Sequence, residues 1–496
     1  MEIVIHHGKE EPAPWAERHF GEAEFSDVRR VRRVQMIAEA MAAQPGQSLP
    51  ELFGRWYDVK AAYMFFKQEE AIPDNIQAGH REYVLAAMEK PGEYLLLEDT
   101  SEMVWAGQEP KRGLGPVGNS KKVGDGLQGF HLHSVLAVGW PEVCPAESAP
   151  EGEGPLEGER PPVQILGLAD QQYRVRRPRP AGEPRNDSQA RKKRNRESQV
   201  WEQASYRVGP APAEPTVRWV SVADRGADIY EYLRSKQELG HGFVVRASQD
   251  RVVLDPATGN RLGYLFAVAG QAPSLGSFDL ELRARPGQAA RTARLSLAAT
   301  PVRLRAPQRP GVMAGTHPPI DCTVVRVWEA APPGGGDGLE WILLCDRPVR
   351  TLNEALAEAL KYSARWILEE YHKALKTGMQ AEALQLETGK GLMAAIAIMS
   401  VVALRLIDLR ERLRVHPEAP AETSGLSRLE LEILHRVLRR PMTTVRDVAL
   451  GIGRLGGHLN RTHDGMPGWI TLWRGMTKLR LLVTGVRLAS KMKRFG

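Results

Sequence analysis

The chain has 496 residues, too many for one compact core, so two to four domains are expected. Hydrophobic residues at 42% and charged residues at 26% describe an ordinary soluble, globular protein. A net charge of +7 and a pI near 9.2 favour an anionic partner such as nucleic acid, while leaving open a slightly basic enzyme that meets no polyanion.

The N-terminus, MEIVIHHGKEEP, lacks a basic segment followed by an apolar stretch, so no signal peptide is expected. Helix is predicted from Trp15 to Ala43, where Arg29, Arg32 and Arg33 share one face and Arg30 lies beside them. Such a stripe is either a solvated face or a set of phosphate contacts. A second helical stretch, Leu52 to Lys67, holds Trp56, Tyr57, Tyr63, Phe65 and Phe66. Most of these aromatics belong in a core, with one or two free to lie against a DNA backbone.

After a helix over Asn75 to Met88, the apolar run Tyr94 to Leu97 reads as a buried strand ending in Glu98-Asp99-Thr100. Further strands are expected at His131 to Val138, Val163 to Leu168, Val217 to Ala223 and Phe243 to Arg246. Between them, Ala146 to Pro162 and Arg176 to Gln199 read as loops. The second contains Arg191-Lys192-Lys193-Arg194, a basic tether for DNA or a solvated insertion. Asp250 to Cys345 alternates short strand-like pieces with Gly/Pro turns and reads as a β-rich insertion.

Helix returns at Thr351, where Thr351 and Glu354 have capping-box spacing, and runs with a break to Lys376, with Gly378 as its stop. From about residue 383 the chain is mostly helical, with an irregular Trp/Gly-rich piece from Gly465 to Met476. The longest apolar run, Leu392 to Leu404, falls short of the about 20 residues that a bilayer span needs and reads as a core helix. Three cysteines, Cys144, Cys322 and Cys345, form no CxxC pair, which argues against a disulfide framework and fits a reducing cytoplasm.

Three carboxylates stand out by location. Asp99 ends the first buried strand, Asp224 follows the run Trp219 to Ala223, and Glu369 lies in a helix. A lone carboxylate at a strand end is usually structural. Three brought together repel, and a divalent cation with oxygen ligands removes that penalty. Asp228, three residues before Glu231, reads as the N-cap of the next helix, which leaves Asp224 as the ligand. Glu98 alternates to the other strand face. Around Glu369, Tyr362, Arg365, Lys373 and Lys376 fall at offsets of seven or four residues and are expected to form one polar stripe. That stripe is either an exposed set of ion pairs or a carboxylate flanked by phosphate-binding donors. His131 and His133 share a strand face without a companion at zinc spacing and read as structural. GLGPVGNSKK, Gly113 to Lys122, departs from a phosphate-binding loop at Asn119, so ATP binding is not expected.

Tyr-x2-Arg-x3-Glu-x6-Lys, read as Tyr362, Arg365, Glu369 and Lys376, resembles the signature of the insertion-sequence-four family of bacterial transposases. Glu98-Asp99-Thr100, His133-Ser134-Val135, Asp224-Arg225-Gly226-Ala227-Asp228, Phe243-Val244-Val245-Arg246, Trp341-Ile342-Leu343-Leu344 and Arg454-Leu455-Gly456-Gly457 follow in the family's order. The segments 176–199 and 250–345 match it poorly.

The resemblance implies an α/β protein: a ribonuclease-H-like catalytic core over 76–385 with the β-rich insertion at about 250–345. A helical DNA-end-binding domain over 1–75 and a helical dimerisation domain over 386–496 flank it. It further implies a DDE transposase that excises and inserts DNA through nicking, hairpin formation and strand transfer. Asp99, Asp224 and Glu369 would hold two Mg²⁺ ions, with Mn²⁺ able to substitute. Tyr362, Arg365, Lys373 and Lys376 would hold phosphates, Trp341 would stack on a flipped base, and Arg29, Arg30, Arg33 and Arg246 would contact DNA. The expected partners are double-stranded transposon ends and target DNA and a second copy in a synaptic homodimer, with no membrane, in a bacterial cytoplasm. Two alternatives stay open: a metal-dependent nuclease on the same core that cuts without joining, and an inactive DNA-binding relic.

Overall fold

The computed structural model describes residues 12–107, 109–118, 127–141, 156–157, 160–176, 198–282, 291–307, 317–332, 338–461 and 464–492. The basic run Arg191 to Arg194, Cys144 and the second half of the 113–122 loop lie outside them.

The N-terminal stretch folds as α1 (Pro12–Phe20), α2 (Val28–Ala43), α3 (Leu49–Leu52), α4 (Trp56–Phe66) and α5 (Pro73–Met88). The single helix expected from Trp15 to Ala43 is broken between 21 and 27, and Asp27 restarts it by accepting the amide of Arg29 at 2.8 Å. Trp15, Phe20, Ile37, Phe65 and Phe66 share one continuous core with the central sheet. These helices are therefore packed onto the rest of the molecule.

The sheet begins with β1 (Gly92–Ala106), β2 (Gly115–Pro116), β3 (Leu127–Trp140), β4 (Leu156–Glu157) and β5 (Gln164–Arg174). After α6 (Gln199–Val208) come β6 (Val217–Ala223), α7 (Tyr230–Glu238) and β7 (Gly242–Arg246). Strands β5, β3 and β1 pair antiparallel; β1, β6 and β7 pair parallel. The parallel strands are almost wholly buried, which is why they read as unbroken apolar runs.

The β-rich region contributes β8 (Val252–Leu254), β9 (Arg261–Tyr264), α8 (Leu265–Gln271), β10 (Ser274–Leu282), β11 (Arg291–Leu304), β12 (Ile320–Glu329) and β13 (Glu340–Cys345). It extends the central sheet. β13 pairs with β7 through Leu343↔Arg246 and Cys345↔Val244, and β12, β11 and β10 follow antiparallel.

Thr351 caps α9 (Leu352–Ser363) in a two-way capping box with Glu354. The chain then breaks at Ala364 and Arg365 before α10 (Trp366–Lys373) and a π turn (Ala374–Gly378). Next is α11 (Gly389–Val415). By length and hydropathy it could cross a membrane, yet 94% of its most apolar window is buried inside this chain. A helix apolar on all sides must be surrounded. Its residues Leu392 to Ile407 belong to the main core, and only from Leu409 does it join the C-terminal cluster. The boundary expected near 386 therefore falls before a helix that belongs largely to the centre.

The C-terminal cluster also holds α12 (Arg428–Leu438), α13 (Val445–Leu455) and α14 (Trp469–Met492). The piece expected to be irregular, 465–476, is helical from Trp469 onward, because Trp469, Leu472, Trp473 and Met476 bury one face at helical spacing. Glycine serves close packing there. A Cβ on Gly475 would stand 1.8 Å from the Ile452 carbonyl oxygen, and one on Gly456 would stand 1.9 Å from that of Thr471.

Candidate active site

Pairing of β1 with β6 ends at Glu98↔Ala223, so Asp99 and Asp224 follow side by side where the parallel pair ends. That end of a parallel sheet is where α/β folds place ligands. Asp99 accepts the Thr100 amide at 2.7 Å, and Asp224 accepts the Gly226 amide at 2.7 Å, capping a 3₁₀ turn over Arg225–Ala227. Burial, then the neighbouring Asp224, push the Asp99 carboxyl up to about 6, with the Thr100 amide, Arg365 and His133 opposing.

Glu369 reaches this corner from α10. Arg365 Nη2 donates to Glu369 Oε1 at 2.6 Å, while its Nη1 stands 3.8 Å from Asp99 Oδ2. One guanidinium thus bridges the strand carboxylate and the helix carboxylate. The Arg365 Nε is buried without a hydrogen-bond partner, and the group sits near the Tyr362 and Trp366 rings, 5.9 and 5.5 Å from their centroids. Among the described residues, no three His, Cys, Asp or Glu side chains form one cluster for a single ion. Asp99 feels the charge of Asp224, whereas Glu369 is linked to Asp99 only through Arg365. All three side chains are oxygen donors, the ligand type that hard divalent ions take.

The remaining expected site residues divide. Tyr362 is buried, with its ring 5.4 Å from that of half-buried Trp341. Lys373 is exposed, and Lys376 stands 3.7 Å from Glu382. The polar stripe does not run along one straight helix, because the break at Ala364–Arg365 and the π turn at Ala374–Gly378 rotate its ends. Glu370 faces elsewhere, paired with Arg410 of α11. Arg246 donates to the Glu340 carbonyl at 2.8 Å. On α2, Arg29 is exposed beside Asp27, whereas Arg30 pairs with Glu70 at 2.5 Å and Arg33 with Asp58 at 3.6 Å. Arg30 and Arg33 therefore spend their charge inside the fold.

Asp228 is not the cap of α7, whose N-cap is Ile229. It is buried, accepts the amides of Ser248 and Gln249 at 2.7 Å, and pairs with Arg251, so it ties the Asp224 turn to the loop after β7. The excluded Glu98 does face away from Asp99, and its surroundings were not legible in the sequence. Fully buried, it accepts from Lys236 Nζ and from the Tyr232 hydroxyl, each at 2.8 Å. Burial would raise its pKa, but Lys236 and then His133 hold it down at about 2. His133 is itself buried and bonded to Thr100 Oγ1 at 2.8 Å; His131 lies 3.2 Å from Glu102.

Fold and site together describe a mixed α/β protein with an acidic corner at the end of a parallel strand pair. Residues 12–71 match the family model described as transposase DNA-binding. The match covers α1 to α4 and supports a transposase, a DNA-processing enzyme with DNA as its partner.

Proposed function

We propose that the chain is a cut-and-paste DNA transposase of the insertion-sequence-four type, with a ribonuclease-H-like core. The observation that supports this reading is Asp99 beside Asp224 at the end of the parallel strand pair, with Arg365 linking Asp99 to Glu369, in a chain that also has a transposase DNA-binding segment. The strand order β5–β3–β1–β6–β7, with the last three parallel, supports the core assignment. Asp99 and Asp224 would hold one divalent ion, and Asp99 and Glu369 a second. When bound, Mg²⁺ or Mn²⁺ supplies an activated water or 3′-hydroxyl and neutralises the leaving oxygen.

The chain's own residues do the rest. Arg365 offers an unused buried Nε to a phosphate and is free to exchange its carboxylate partners for one. Lys373 and Lys376 add cations along the same edge, and Trp341, against Tyr362, offers an aromatic edge to an unstacked base. Two copies would assemble on paired DNA ends.

The test is incubation of the chain with Mg²⁺ and a plasmid carrying the DNA that flanks its gene. Excision and joined products are expected. Metal-dependent cuts without joining would instead favour a nuclease on the same core, and absence of any metal-dependent cleavage would overturn the reading.

A further inference from the structure

Helices α2 and α4 lie side by side, tied by the Arg33–Asp58 pair. Next to that tie, at the start of α4, two large aromatics are left in solvent: Trp56 is 74% exposed and Tyr57 73%. The other aromatics of this segment, Tyr63, Phe65 and Phe66, pack into or against the core, so the two are a surface feature of the fold. Adjacent in the chain and both bare, the two rings make one apolar patch, and such a patch rimmed by polar residues is a feature of contact surfaces.

The charge around them is one-sided. Arg55 and Lys60 flank the pair on α4 and are exposed, as are Arg29 and Arg32 on α2. Asp58, the acid within α4, is engaged by Arg33, and Asp27, the cap of α2, by Arg29. Exposed cations set around bare aromatic faces suit a polyanion with stackable rings. The whole face lies within the segment that matches the transposase DNA-binding family.

We infer that Trp56 and Tyr57 are the DNA-contacting centre of this segment: their rings pack against sugars and base edges of a duplex whose phosphates are held by Arg32, Arg55 and Lys60. The inference rests on the reading of residues 12–71 as DNA-binding and deepens it. It divides the surface into two physical roles. The rings contribute contact that salt does not screen, and the cations contribute counterion release that salt does.

The test uses the full chain and a 30-base-pair duplex, with affinity followed by fluorescence anisotropy over a salt series. Trp56→Ala and Tyr57→Ala are each expected to weaken binding about tenfold at fixed salt while leaving the slope of log K against log salt unchanged. Trp56→Phe should retain most of the affinity. Arg32→Ala should flatten the slope by about one. Thermal melts of the variants should match the parent, since both rings are already in water. Affinities of both alanine variants within twofold of the parent would overturn the inference and leave the DNA-binding reading standing. So would a loss of self-association in sedimentation with DNA binding intact, which would assign the face to a second copy. A parent chain that binds no duplex would sink both.

Discussion

Glu98 and Asp99 are adjacent in the chain, on opposite faces of one strand, and their surroundings differ in kind. On one face Glu98 is fully buried yet matched by Lys236 and Tyr232, and its carboxyl is held near 2. On the other, Asp99 sits beside a second carboxylate and is pushed up to about 6. Burial raises both; the sign of the nearest charge decides the outcome. The Lys236 ammonium is itself lowered by burial, but with Glu98 held so low the pair is best described as ionised. The Glu98 face is electrostatically complete and fastens β1 to α7. The Asp99 face sets a second carboxylate beside Asp99, with the Arg365 guanidinium 3.8 Å away as the nearby cation. An acid whose partner is already in the fold is structural, and one whose neighbour is another acid is a candidate for chemistry.

The largest way to break that contrast is to remove Asp99. Asp99→Ala is expected to lower metal-dependent DNA cleavage by at least about a thousandfold, a loss of about 4 kcal/mol of transition-state stabilisation, while duplex binding persists. A nicking assay with a parallel binding titration checks it, and retained cutting would remove Asp99 from the site. On the opposite face, Lys236→Met should destabilise the fold by about 3–5 kcal/mol, because Glu98 is left buried and unmatched. Adding Glu98→Met should restore most of that loss. Urea unfolding of the single and double variants measures both, and a double variant as unstable as the single would show that the pair is not the cause.

A third test exploits the raised Asp99 carboxyl. Its folded pKa lies above the ordinary value of 3.8, so the fold favours the neutral form and the unfolded chain ionises first. Without metal, stability should therefore fall as pH rises from about 4 to about 6 and stay reduced above that. Asp99→Asn removes the ionisation and should stabilise the metal-free protein by about 3 kcal/mol at pH 7.5 and hardly at all at pH 4. Mg²⁺ should raise the melting temperature of the parent more than that of the variant. Equal melting temperatures for parent and variant at pH 7.5 would contradict the picture.

The smallest effect sets the scale. Thr351→Ala removes one half of the α9 capping box and should cost about 1 kcal/mol with DNA affinity unchanged.

Much of this arrangement is written in local pattern. The apolar runs of β1, β6 and β7, the capping box at Thr351, the all-apolar α11 and the alternation that separates Glu98 from Asp99 follow from period and end signals. Their lengths follow less well: β1 runs on to Ala106 and α11 to Val415, beyond the apolar runs that mark them. Long-range pairing is different. Nothing local says that Lys236 answers Glu98 across 138 positions, or that Asp228 closes on the loop after β7 instead of capping α7. The same holds for Arg30 and Arg33, which satisfy Glu70 and Asp58 while Arg29 and Arg32 stay outside.

Sequence alone therefore settled strand alternation and the capping box at Thr351, though not the role of Asp228, because alternation and a capping box are contests among near neighbours with fixed geometry. Tertiary structure decided which charges are used up inside the protein and which remain for a ligand. A side chain's charge is known from its name, but its worth depends on what distant segments bring within a few ångströms and on how much water they exclude.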